Sequence, residues 1–205
     1  MISFFRNAFM TLMVMLIPAA AIASPQIGEK APSFEAKTAS GETVNLEQYR
    51  GKNVVLEWTN HQCPFVIKHY DTGNMQGLQK AAKEDHDTVW LTIVSSAEGK
   101  QGYTKAEEAK EVMKENNSNE TARLLDPSGE IGKLYGASTT PHMFVIDKEG
   151  TLVYQGAIDS NSSPRHSTVE GATNYVADAL AALSAGVAVE PASTQPYGCS
   201  VKYGS

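Results

Sequence analysis

Two cysteines, Cys63 and Cys199, are the only thiols in the 205 residues. Cys63 follows an apolar run, Val54 to Trp58, across the short polar loop 59–62, with Pro64 directly behind it. Proline suits the first position of a helix, where its missing N–H costs no hydrogen bond. A cysteine at such a helix start meets unpaired backbone N–H groups and the positive end of the helix dipole. Both favour thiolate over thiol and so favour a nucleophile. The plainer alternative is a buried cysteine that only fills space. Cys199 stands in a Pro- and Gly-containing tail that can fold back on the domain. There it would attack an oxidised Cys63 as the resolving thiol. The alternatives are a static Cys63–Cys199 bridge and a bridge between chains.

His61 precedes Cys63 by two residues and is a candidate charge partner for its thiolate near neutral pH. His69, further along the expected helix, reads as a surface or core histidine. His61, Cys63 and His142 make a conceivable soft-metal set, but nothing in the chain has the short ligand spacing of a metal motif. No metal and no organic cofactor is therefore assigned.

The elements that must position these groups alternate in type. Val54–Trp58 and Val89–Val94 are apolar, β-branched-rich runs that predict strands buried on both faces of a sheet. Short strands are expected at Pro32–Ala36 and Thr43–Leu46 around the turn signal Ser40-Gly41. A helix is expected from Pro64 to about Lys83, with Gly73 able to kink or break it. A charge-laced helix is expected over Thr104–Lys114, with Thr104 as its N-cap. After a brief segment at Ala122–Leu125, a short helix runs over Ile131–Tyr135 and closes at Gly136. Met143–Asp147 and Leu152–Tyr154 predict a hairpin around Lys148-Glu149-Gly150. Val169–Ala185 predicts a last helix, and Val187–Ser205 an extended tail. The order predicts one α/β domain with a mixed sheet.

Residues 1–23 have the layout of an export signal: Arg6, an apolar stretch Ala8–Ala20, and the small-residue site Ala21-Ile22-Ala23. A cleaved leader is expected rather than a stable membrane span, because Pro18 interrupts the stretch and no stop-transfer pattern follows. The domain is then 24–186, with the tail 187–205 carrying Cys199. Cleavage removes Arg6 and moves the formal net charge from -6 to -7. An acidic chain without a Lys/Arg cluster argues against nucleic acid as a partner. Export, to the periplasm of a Gram-negative cell and otherwise to the medium, places both thiols where disulfides form and persist.

Several ordered motifs resemble the AhpC/TSA and thioredoxin-like redoxins. They are Ala31-Pro32-Ser33-Phe34, Asn45 to Lys52, Leu125-Asp126-Pro127-Ser128-Gly129, Tyr135-Gly136, and Thr139 to Gly150. The match covers roughly Gly28 to Gly186. Within it the chain resembles a peroxiredoxin-like subgroup through Cys63-Pro64-Phe65-Val66, Thr140-Pro141-His142 and Gly198-Cys199-Ser200-Val201-Lys202. The resemblance implies a thioredoxin fold, a mixed central sheet flanked by helices, with an N-terminal extension and an inserted helix. It places Cys63 at the first cysteine of a Cys-x-x-Cys site, with Val66 where the second would stand. A peroxidatic cysteine would match the second position instead, and Asn60 stands where the peroxidase motif has a hydroxyl. Glu57 then matches the buried acid of thioredoxin, a candidate acid/base if burial raises its pKa. Pro141 resembles the cis-proline that faces the nucleophile, with Thr140 as a substrate-docking edge and His142 as a second candidate for tuning the thiolate.

The reading from sequence is an exported thiol–disulfide oxidoreductase of antioxidant type, with Cys63 as nucleophile and Cys199 as resolving thiol. Its expected partners are protein or small-molecule thiols and disulfides, with an unidentified reductant. An atypical peroxiredoxin-like thiol peroxidase acting on peroxides is the first alternative. A non-catalytic binding or metal-handling module on the same scaffold is the second.

Overall fold

The computed structural model describes residues 24–85 and 87–204. The leader expected over 1–23 lies outside the described residues. Nine strands and five α-helices follow in chain order: β1 (Glu35–Thr38), β2 (Thr43–Asn45), β3 (Asn53–Trp58), α1 (Pro64–Asp71), α2 (Asn74–Asp85), β4 (Thr88–Val94), α3 (Ala106–Glu115), β5 (Ala122–Leu125), α4 (Glu130–Tyr135), β6 (Thr139–Thr140), β7 (His142–Ile146), β8 (Leu152–Gly156), α5 (Tyr175–Ala185) and β9 (Cys199–Ser200). Seven strands form one mixed sheet in the order β2-β1-β5-β4-β3-β7-β8, and β6 pairs with β9 in a second, two-stranded sheet. The expected mixed α/β architecture is borne out.

The two apolar runs occupy the middle of the sheet. Strand β3 pairs parallel with β4 and antiparallel with β7, and every residue of β4 is buried. This is why neither run alternates in polarity: both faces are covered. Val54, Leu56 and Trp58 point into a core shared with Phe34, Tyr135 and Phe144. Val55 points to the opposite face, among Val66, Tyr70, Met75, Leu78 and Leu180 from α1, α2 and α5. Glu57 shares that second face, two residues along the pleat.

The stretch from Pro64 is broken at Gly73 into two helices, as that glycine allowed; its φ of 74° is left-handed backbone that glycine adopts without strain. Two other local expectations need correction. The cap of α3 is Lys105, not Thr104; the Thr104 hydroxyl is buried without a hydrogen-bond partner. Helix α5 starts at Tyr175, not Val169, because the Asn174 side chain caps it by accepting a hydrogen bond from the Ala177 amide. The tail is extended, as expected, and contributes β9. Among the described residues no helix is long and apolar enough to cross a membrane.

Candidate active site

The loop between β3 and α1 is a tight, self-bonded turn. The Asn60 side chain accepts from the Gln62 amide at 2.9 Å, and the Cys63 amide donates to the Asn60 carbonyl at 2.9 Å. Asn60 is itself wedged against Gly102, where a Cβ would fall 2.3 Å from its side chain. The turn delivers Cys63 to the N-cap of α1, with Pro64 as first helical residue. The position expected from sequence is therefore the one observed.

Strand pairing brings the second wall to the same place. His142 of β7 pairs with Trp58, the last residue of β3, so the preceding Thr140–Pro141 segment lies beside the Cys63 turn. The Thr140–Pro141 peptide is cis. The Cys63 thiol donates to the Thr140 carbonyl oxygen at 3.2 Å.

The tail supplies the third wall. Cys199 pairs with Thr140 and Ser200 with Thr139, so β9 lies antiparallel along β6. The Val201 amide donates to the Ser138 carbonyl at 3.0 Å. This pairing sets the Cys199 sulfur 2.6 Å from the Cys63 sulfur. No substrate atom fits between them, and little movement separates this contact from the ~2.05 Å of a bonded pair. Cys63 is 0% exposed, whereas Cys199 is partly exposed. Burial, then the hydrogen bond to Cys63 and its charge, push the Cys199 thiol up to about 11. Cys199 therefore keeps its proton at neutral pH.

The hydrogen bonds of the Cys63 sulfur go to Thr140 and Cys199 rather than to the remaining candidates. Glu57 is fully buried and accepts from Trp90 Nε1 at 2.9 Å, from the Tyr70 hydroxyl at 3.1 Å, and more weakly from Gln79 and Thr92. Burial and the nearby Glu120 charge raise its pKa, against the Trp90 hydrogen bond, the Arg123 charge and the Tyr70 hydrogen bond. None of its hydrogen-bond partners is a sulfur. Below it, Arg123 and Glu120 form a buried two-bond pair at 2.8 and 3.0 Å.

His142 is buried against Phe144, with ring centroids 4.5 Å apart. Its Nδ1 accepts from the Ser138 amide at 3.3 Å, and burial lowers its pKa to about 4. It is a neutral ring at pH 7. The pKa of His61 is also lowered, chiefly by desolvation. Neither histidine brings a positive charge to the thiols at neutral pH. Among the described residues no three of His, Cys, Asp and Glu converge to hold a metal, so His61, Cys63 and His142 do not assemble as a ligand set.

Sequence reasoning missed a buried polar cluster next to this site. Lys68 and His69 of α1 are 0% exposed. They meet Asp159, from the segment after β8, and Tyr197 of the tail. A lysine five residues after Cys63 reads as a solvated charge. Only the folded tail and the loop carbonyls of Asn161 and Ser163 provide its partners.

The fold is the thioredoxin fold: the crystal structure of the thioredoxin domain of a thiol-disulfide oxidoreductase from Bacteroides vulgatus superposes with a TM-score of 0.51 at 21% identity, covering 72% of this chain and 97% of that one. Residues 27–155 match the AhpC/TSA family, and the chain belongs to that family. Among curated relatives, thiol-disulfide oxidoreductase ResA of Bacillus thuringiensis subsp. konkukian is 24% identical over 137 residues, spanning 63% of this chain and 69% of the relative. Peroxiredoxin Bcp of Bacillus subtilis is 28% identical over 148 residues, spanning 62% and 82%. The crystal structure of a hypothetical protein from Sinorhizobium meliloti 1021 superposes with a TM-score of 0.76 at 23% identity, covering 89% of this chain and 97% of that one. That last match speaks to the fold alone.

Proposed function

We propose that this chain is an exported thiol–disulfide oxidoreductase in which Cys63 and Cys199 form one reversible disulfide. The observation that carries the reading is the 2.6 Å approach of the two sulfurs at the cis-proline edge. The Cys63 thiolate attacks one sulfur of a substrate disulfide; a Cys63–substrate bond forms as the substrate S–S bond breaks and one substrate thiolate leaves. Cys199, deprotonated as it reacts, then attacks the Cys63 sulfur and expels the second substrate thiolate. Two electrons pass to the substrate and the chain ends as the Cys63–Cys199 disulfide. An external dithiol reductant reverses these steps. Thr140 and Pro141 form the docking edge, which the chain's own tail fills in the reduced state. Glu57, with all its hydrogen-bond partners in the core, holds the α1–α2 face to the sheet. Export rests on the leader pattern of residues 1–23, with the periplasm of a Gram-negative cell, or otherwise the medium, as the destination.

A second reading is supported by the same filled edge. A small oxidant reaches a covered thiol more easily than a polypeptide does, and the likeness to a peroxiredoxin adds weight. Attack of the Cys63 thiolate on a peroxide would give the sulfenate and an alcohol or water, and Cys199 would condense with it, releasing water. Stopped-flow oxidation of the reduced protein by hydrogen peroxide and by glutathione disulfide separates the two. The exchange reading predicts faster reaction with the disulfide, abolished in Cys63→Ser. Faster reaction with peroxide would overturn it in favour of the peroxidase.

A further inference from the structure

The Cys199 sulfur is aimed by the two residues just before it in the chain. Upstream, the Tyr197 ring lies against Phe65 of α1, with centroids 5.9 Å apart, and the Lys68 ammonium sits 5.2 Å from the Tyr197 ring centre. The Tyr197 hydroxyl donates a short hydrogen bond to Asp159 Oδ1. Asn74 donates to His69 Nδ1 at 2.8 Å, so the proton of this neutral ring is on Nε2 and is donated to the Tyr197 oxygen at 3.1 Å. Lys68 Nζ donates to the same oxygen at 3.4 Å and stands 3.7 Å from Asp159 Oδ2. A single tail hydroxyl thus sits at the junction of a buried cation, a buried carboxylate and a histidine. The cation and the histidine belong to the helix that begins at Cys63.

Between that anchor and the thiol comes Gly198, with φ of 132°. A Cβ at this position would lie 2.0 Å from the Thr140 carbonyl oxygen and 2.7 Å from its carbon. Those are backbone atoms of the edge on which β9 is paired, and they cannot rotate aside. Any side chain at residue 198 therefore pushes the strand off Thr140, whose carbonyl faces the Cys63 thiol.

We propose that Tyr197 and Gly198 are positioning residues for the thiol pair: the buried Tyr197–Asp159–Lys68 anchor and the side-chain-free approach at Gly198 together register Cys199 on Cys63, and so set how readily the pair is oxidised. The proposal rests on the exchange reading. It deepens that reading by assigning the effective concentration of the two thiols to the two residues that precede Cys199. The reaction measured is oxidation of the two thiols by one glutathione disulfide, which forms the Cys63–Cys199 bond and releases two glutathione thiols.

The test equilibrates the whole protein and its Tyr197→Phe and Gly198→Ala variants in glutathione buffers of graded ratio, then counts bridged molecules by thiol alkylation and mass spectrometry. Each variant is expected to lower the equilibrium constant for the bridge at least tenfold, while the reduced proteins keep the wild-type far-ultraviolet circular dichroism. Tyr197→Phe retains the ring against Phe65 and removes only the hydroxyl, so it decides the matter even where Gly198→Ala does not fold. Variants within twofold of a wild type that does bridge would overturn the positioning role alone. A wild type that forms no intramolecular bridge would overturn the exchange reading, and this proposal with it.

Discussion

The His142 ring, buried with a backbone amide as its hydrogen-bond partner, resists protonation down to about 4 against an ordinary 6.5. As pH falls, the unfolded chain binds this proton first. The stabilisation is therefore fully present above about 6.5 and is lost as pH falls toward about 4. Replacing the ring with an uncharged one isolates this contribution, because His69 and Glu57 titrate alike in both proteins. Urea unfolding at pH 7 and pH 4.5 should show wild type losing roughly 2 kcal/mol more than His142→Phe across that interval. Equal losses would show that the ring does not titrate as the structure implies. At this scale the sequence was a good guide to Cys63, because its helix start is local. It was a poor guide to the charge on the histidines, which depends on burial that no local pattern announces.

Helix α5 starts six residues later than the boundary expected from sequence. The helix is expected from Val169, yet it begins at Tyr175, one residue before the first stripe position Val176, because the Asn174 side chain accepts from the Ala177 amide at 3.0 Å. Asn174→Ala should cost about 1 kcal/mol and lower the melting temperature by about 2–4 °C, as read by differential scanning calorimetry; an unchanged melting temperature would contradict the cap. The central strands β3 and β4 were legible because long apolar runs have few other uses. The pairing of β6 with β9 was not. Each is two residues long, too short for any periodicity, and their register joins Thr140 to Cys199, 59 residues further along the chain. Lys68 and Asp159 were illegible for the same reason: their partners come from separate segments.

The described residues form a central sheet covered on both faces, with the tail strand β9 laid back beside the end of β3. That return path places Cys199 beside Cys63. Val66, at the vacant position, is buried among apolar side chains, and the second thiol arrives on the tail instead. The Cys63-to-Cys199 span also gives a bridge that should stabilise the oxidised fold by roughly 4–5 kcal/mol in the chain-entropy description. The central claim is that these two thiols form one redox unit within a single chain. Its most direct test oxidises dilute, reduced protein with a slight excess of glutathione disulfide, alkylates what remains, and maps the digested peptides by mass spectrometry. The account predicts no alkylated cysteine and one linked peptide pair containing Cys63 and Cys199, reversed by a dithiol. Two alkylated cysteines, a persistent glutathione adduct on Cys63, or a linkage found only between chains would contradict it.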